Sequence, residues 1–101
     1  MTSETFSQLD PVIHSRVRLG ILTILASVKD ASFIYLKEKI GATDGNLSAN
    51  LTRLENEGFI KVRKSFAGKK PLTTCSITGK GRTAFSEYLR TLENLLPLKT
   101  E

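Results

Sequence analysis

Seven basic side chains, Lys61, Arg63, Lys64, Lys69, Lys70, Lys80 and Arg82, fall within residues 58–86 with no Asp or Glu among them. The flanking stretches, 1–57 and 87–101, each carry a net charge of −1, so the formal net charge of +5 is the excess of this one segment. Charge this local suits the docking of a polyanion rather than general solubility. Just upstream lies a different chemistry. Asn46, Ser48, Ala49 and Thr52 are small or polar, and Arg53 is the single cation among them. Amide, hydroxyl and guanidinium groups supply directional hydrogen bonds, and small residues permit close approach to another surface.

Covalent and metal chemistry find no comparable set. Cys75 is the only cysteine and His14 the only histidine. That excludes an internal disulfide and leaves no Ser/His/Asp, Cys/His or metal-ligand constellation. Gly79 and Gly81 precede a helical pattern without the spacing of a phosphate loop. An enzyme is therefore not expected, nor a cofactor or metal. Cys75 reads as a small buried strand residue, the alternative being a redox-sensing thiol that would need exposure and a lowered pKa. His14 is expected at the surface or at a subunit contact.

Several elements must position the polar and basic sets. Asp10-Pro11 reads as a helix start, with Asp10 capping and Pro11 at the first helical position. The helix is expected to run to about Ser27, with Ile13, Val17, Ile21, Ile24 and Val28 on one face and Val12, Leu19, Leu22 and Ala26 on a second. Lys29 to Ser32 reads as a break. Phe33 to Ile40 is a short helix ended by Gly41 in a left-handed conformation. Thr43 is the natural cap of a third helix, Asp44 to Glu57, closed by Gly58. Its Leu47, Leu51 and Leu54 line one face. At about 100° per residue, Gly45, Ala49, Thr52, Arg53 and Asn56 lie opposite and Asn46 and Ser48 flank them.

Phe59 to Phe66 alternates as a strand with Ile60 and Val62 inward, residues 67–71 form the turn, and Thr73 to Ile77 returns with Cys75 and Ile77 inward. Thr78 can cap a last helix that reaches about Leu96, before Pro97. Phe85, Leu89, Leu92 and Leu96 form one of its strips, and Ala84, Tyr88 and Leu95 another. The expected fold is mainly α with a small β-hairpin (α+β), in the order α-α-α-β-β-α. It forms one domain over 1–101, with 1–8 frayed.

A short helix, a glycine-containing turn and a second helix form the helix-turn-helix pattern, whose second helix enters the major groove of double-stranded DNA. There Arg53 could reach guanine O6 and N7, Asn46 adenine N6 and N7, Ser48 a base or phosphate, and Ala49 a thymine methyl. The hairpin would add non-specific contacts. Lys69 and Lys70 stand at its tip, and Arg63 and Lys64 along its arm. With roughly four to six phosphates neutralised per protomer, each adds about 0.9 to the salt slope of binding.

The run FIYLKEKIGATDGNLSANLTRLENEGFIKVRKSFAGKKPLTTCSITGKGRTAF resembles the winged helix-turn-helix transcriptional regulators of bacteria and archaea, near the MarR and ArsR groups. Within it DGNLSANLTRLENEGFI is similar to the recognition helix and its exit, and GKKPLTTCSITGKGR to the wing tip, return strand and next helix start. The resemblance covers about residues 10–96. It implies DNA binding as a homodimer, most often as a repressor, with recognition contacts at Asn46, Ser48, Ala49 and Arg53 and wing contacts at Lys64, Lys69 and Lys70. It also places the dimer contacts on the first and last helices, 10–28 and 79–96. Their doubled apolar strips fit that independently, through Val12, Leu19, Leu22, Tyr88, Leu92 and Leu95. The paired thiols of metal-sensing ArsR proteins are missing. Any small-molecule effector would bind at the dimer interface.

Two rivals use the same elements. A winged-helix adaptor between proteins would bind DNA weakly and without salt dependence. A shape reader of duplex RNA would leave the Asn46/Arg53 face idle, because the RNA major groove is too narrow to read. No run approaches the roughly 18 apolar residues of a membrane span. With no secretory pattern at the N-terminus, the expected location is cytoplasmic.

Overall fold

The computed structural model describes residues 6–96. Its elements are α1 (Arg16–Leu25), β1 (Ala31–Ser32), α2 (Phe33–Ile40), α3 (Asp44–Asn56), β2 (Ile60–Ala67), β3 (Lys70–Ile77) and α4 (Gly79–Leu95). The strands form an antiparallel sheet in the order β1-β3-β2. This is the expected α+β architecture with one strand added.

The core sits where α1, α2 and α3 pack together and against the base of the sheet. Ile13, Ile21, Leu22, Leu25, Leu36, Leu47, Leu54 and Cys75 are its most completely buried side chains. Along β2 the residues Ile60 and Val62 pair with Ile77 and Cys75 of β3, and all of them join the core. Period-2 alternation leaves Lys61 and Arg63 on the other face.

Local chemistry sets most boundaries. Ser32, Thr43 and Thr78 are extended residues whose hydroxyls accept the backbone N–H of Tyr35, Asn46 and Gly81 and so start α2, α3 and α4. Gly41 ends α2 at φ 74°, the left-handed region a glycine adopts without a Cβ penalty.

The first helix departs from expectation. It begins at Arg16, not near Asp10. The Asp10 carboxylate accepts the Val12 N–H at 2.9 Å, which stabilises a turn over Pro11 in place of a helical first turn. Ser15 takes the cap, accepting the Arg18 N–H. The helix stops at Leu25, short of Ser27. The strand Ala31–Ser32, read from sequence as a break, pairs with Cys75 and Thr74. Two residues are too few to show alternation. The return strand starts at Lys70 and leaves a two-residue loop, Gly68-Lys69, with Gly68 at φ 67°. A glycine of positive φ leading a two-residue loop matches the twist of the strands it joins. Part of the expected frayed start, 1–5, and the helix stop at Pro97 lie outside the described residues.

The second apolar strips of the first and last helices also need a different account. Val12, Leu22 and Tyr88 are buried in the chain's own core, and Leu95 is buried as well. Leu19 and Leu92 are half-buried against the same core. Helix α1 is central, touched by α2, α3 and β3, so one chain suffices to cover both of its strips. On α4 the exposed apolar side chain is Leu89, with Leu96 just beyond the helix end.

The junction of sheet and α4 is closely packed at Gly81. Thr78 donates its hydroxyl to the Gly58 carbonyl at 2.6 Å, and its N–H to the Phe59 carbonyl at 3.0 Å. A Cβ on Gly81 would overlap that Phe59 carbonyl and stand 3.0 Å from Ile77 Cγ1. Gly81→Ala should therefore cost about 2–4 kcal/mol. Gly79→Ala, whose Cβ meets nothing within 4 Å, should leave stability unchanged or raise it. Urea midpoints of the two variants check the contrast.

Candidate nucleic-acid interface

The interface is built from α3 and the β2–β3 hairpin. Leu47, Leu51 and Leu54 are buried, which fixes the rotation of α3 about its axis. The opposite face is then set. Gly45, Asn46, Ser48, Ala49, Thr52, Arg53 and Asn56 are all exposed. Gly45 has open space where a Cβ would stand. Before α3, the Lys37 ammonium meets the Asp44 carboxylate at 2.7 Å. Both are solvent-exposed, so this pair adds little stability.

Arg53 makes no side-chain hydrogen bond or ion pair among the described residues and stands free on the outer face. Asn46 does not. Asn50 donates from Nδ2 to the Asn46 carbonyl at 2.8 Å and to Asn46 Oδ1 at 3.2 Å. The Arg18 guanidinium donates to Asn50 Oδ1 at 2.7 Å and, through Nε, to the Val12 carbonyl. Arg18 and Asn50 were missed by sequence reasoning. Asn50 follows Asn46 by four residues, a spacing that brings side chains together on a helix. For Arg18, far away in sequence, no local signal exists.

The hairpin carries the remaining cations. Lys61 and Arg63 lie on one face of β2, and Lys64 on the other. Lys69 occupies the loop, and Lys70 opens β3 opposite Ala67. All are exposed. Lys64 and Thr73 line a groove of about 290 Å³ with Ser48, Thr52 and Glu55 of α3, so helix and wing share one concave surface. Phe66, on the same sheet face as Lys64, is 71% exposed near the tip.

Two of the seven cations are already engaged. Lys80 donates to the Glu57 carbonyl at 2.9 Å and lies 5.7 Å from the Phe59 ring centroid. Arg82 donates to the Ala26 carbonyl at 3.1 Å. Each satisfies a carbonyl at the end of a preceding helix, where cations are favoured. The charge pattern counts them among the cations of a polyanion-docking segment, but their hydrogen bonds give them a structural duty.

Cys75 is 1% exposed at the centre of the sheet. Burial pushes its thiol up to about 11, and Glu55 adds to the shift. These are the opposite of what a redox-sensing thiol needs. His14 is exposed, and its Nδ1 pairs with the Tyr88 hydroxyl at 2.7 Å, tying the segment before α1 to α4. Burial raises the Tyr88 pKa. Among the described residues no group of three His, Cys, Asp or Glu could hold a metal, and no helix is long and apolar enough to cross a membrane.

A helix pair with a left-handed glycine turn, followed by a two-stranded wing, defines a winged helix-turn-helix. The chain belongs to the winged helix DNA-binding domain family, whose model matches residues 17–96. It is 42% identical over 78 residues to an uncharacterised protein of Methanocaldococcus jannaschii, covering 77% of this chain and 85% of that one. A solved transcriptional regulator homologue from Pyrococcus horikoshii OT3 superimposes with a TM-score of 0.84 at 28% identity, covering 91% of this chain and 93% of that one. The M. tuberculosis regulator MOSR, solved in complex with DNA, shares the fold alone. It has a TM-score of 0.70 at 17% identity, covering 92% of this chain and 66% of that one.

The Cys75 environment gives a pH prediction. The folded thiol titrates near 11, above the ordinary value of 9.0, so the folded chain keeps a proton that the unfolded chain releases. Its contribution is complete below pH 9 and is lost as pH rises towards 11. The thermal midpoint of Cys75→Ala should therefore fall less over that window than that of the unaltered protein. In the native protein at pH 8, alkylation of Cys75 by iodoacetamide should be slow, and unfolding should make it fast.

Proposed function

We propose that this protein is a homodimeric, sequence-specific regulator of transcription that binds double-stranded DNA, acting as a repressor. The observation that carries the reading is the pairing of an exposed, nearly uncharged helix face with a wing whose cations have no partner among the described residues, across one concave surface. Helix α3 enters the major groove, with Arg53 reaching guanine and Ser48, Ala49 and Thr52 close to the bases. Arg63, Lys64, Lys69 and Lys70 hold phosphates beside it or reach into the minor groove. This arrangement separates affinity, from charge, from selectivity, from the helix. The family to which the chain belongs and the DNA complex of MOSR support the partner.

Two protomers would set their recognition helices in successive major grooves about 34 Å apart on a near-palindromic operator. The surface offered for self-association is the outer edge of α4, where Leu89 and Leu96 are exposed and Leu92 is half-buried.

Electrophoretic shift with selected duplexes tests the DNA reading. Arg53→Ala should weaken specific binding by about 1–3 kcal/mol and relax selection at one position. Lys69→Ala/Lys70→Ala should weaken binding to all sequences and lower the log–log salt slope by about 1.8 per protomer. If both variants bind as the unaltered protein does, the reading fails. Preference for an RNA duplex competitor would favour a shape reader, and salt-insensitive weak binding an adaptor.

Sedimentation equilibrium tests the assembly. The protein should be a dimer, and Leu89→Lys should be monomeric with weakened operator binding. A monomeric unaltered protein that occupies single half-sites would exclude the dimer.

A further inference from the structure

We infer that Arg18 and Asn50 are positioning residues that fix Asn46 as a hydrogen-bond donor towards the bases, so that this position selects guanine or thymine rather than adenine. The inference rests on the proposal that α3 enters the major groove.

The argument is one of donors and acceptors. A guanidinium has only donors, so the Asn50 atom 2.7 Å from Arg18 Nη1 must be its oxygen. A main-chain carbonyl has only acceptors, so the Asn50 atom 2.8 Å from the Asn46 carbonyl must be its nitrogen. The Asn50 amide is thus oriented from both ends. Its nitrogen also faces the Asn46 side chain at 3.2 Å, and the atom it meets there is Oδ1. Asn46 therefore turns its acceptor back along the helix and leaves Nδ2, with two N–H donors, towards solvent. The backbone N–H of Asn46 is taken by Thr43 Oγ1 at 3.1 Å and cannot compete for the side chain. Arg18 is itself held by the Val12 carbonyl.

A bidentate pair with adenine needs both atoms of the Asn46 amide outward: Oδ1 to accept from N6 and Nδ2 to donate to N7. With Oδ1 turned inward only donation remains. Guanine offers O6 and N7 as acceptors in the major groove, and thymine offers O4. Cytosine shows a donor there, and adenine a donor beside its N7. The donor face of Asn46 therefore suits guanine or thymine.

Selection on random duplexes tests this, with the full chain and its Asn46→Ala, Asn50→Ala and Asn50→Asp variants. The unaltered protein should prefer guanine or thymine at the half-site position that Asn46→Ala relaxes, by roughly five- to tenfold. Asn50→Ala should lose most of that preference at this position alone. Asn50→Asp should move it towards adenine or cytosine. A carboxylate can accept from both Arg18 and Asn46 Nδ2, which turns Asn46 Oδ1 outward. Thermal melting confirms folding, and if Asn50→Ala does not fold, the near-isosteric Asn50→Asp carries the test. Shifted preference at one position is a readout that general loss of packing would not give. Selection of adenine there by the unaltered protein would overturn the inference, as would sequence-selective binding unchanged in both Asn50 variants. Binding of no duplex at all would overturn the DNA reading with it.

Discussion

Burial of Leu47, Leu51 and Leu54 is the constraint on which the rest of the surface depends. These side chains sit in the core shared with α1 and the sheet, and together their burial is worth several kcal/mol, at about 1.5–3 kcal/mol for each leucine. Rotating α3 by one residue, about 100°, would pull them out and bury Ser48 or Thr52 without partners. Hydrophobic energy therefore sets which polar groups look outward, although none of those groups contributes to it. The caps act in the same direction. Gly41 and Thr43 fix where α3 begins, and a helix with a fixed start and a fixed rotation presents the same row of side chains each time.

The wing depends on the same core at one remove. Its base is anchored by Ile60, Val62, Cys75 and Ile77, and residues 63–71 further out are exposed. Register is carried outward by backbone pairing from Ile60↔Ile77 to Ala67↔Lys70 and closed by Gly68. A one-residue slip would exchange the faces and move Arg63 to the side now held by Lys64. Strand β1 adds pairing on the far edge of β3 and leaves the β2 edge unpaired among the described residues, so the central strand is the one that carries buried Cys75.

The parts legible in the sequence were those decided by near neighbours. Thr43, Gly41, Thr78 and the leucine stripe of α3 each act within a turn or two, and each was placed correctly. The misreadings share a different cause. Asp10 and Pro11 do favour a helix start, but the Asp10 side chain accepts the Val12 N–H and holds a turn there. Lys80 and Arg82 read by charge as cations for a polyanion, although their acceptors are Glu57 and Ala26 carbonyls brought near only by folding. The apolar residues Val12, Leu22 and Tyr88 looked surplus to one chain because the central position of α1 is a property of the packed molecule. Arg18 is the clearest case. It acts on α3 across more than thirty residues, and nothing in its own neighbourhood marks it.

Charge and fold pull in opposite directions at the wing. Lys61 and Arg63, two residues apart on one face of β2, stand about 6.6 Å from each other along the strand, and Lys64 and Lys70 add to the same field. No carboxylate lies within residues 58–86, so this repulsion is balanced by solvent ions and by acids from outside the segment, such as Glu55, which shares a groove with Lys64. The screening length is about 8 Å at physiological ionic strength, comparable to these separations. Added salt therefore relieves the strain of the free wing while it weakens attraction to a polyanion. A polyanion bound along the wing does what salt does for its internal repulsion, but at fixed positions, so the outer hairpin should be most ordered when it is occupied. The outer face of α3, with Arg53 as its single cation, takes little part in that exchange. The Arg18–Asn50–Asn46 hydrogen bonds on its flank are set by packing before any partner arrives.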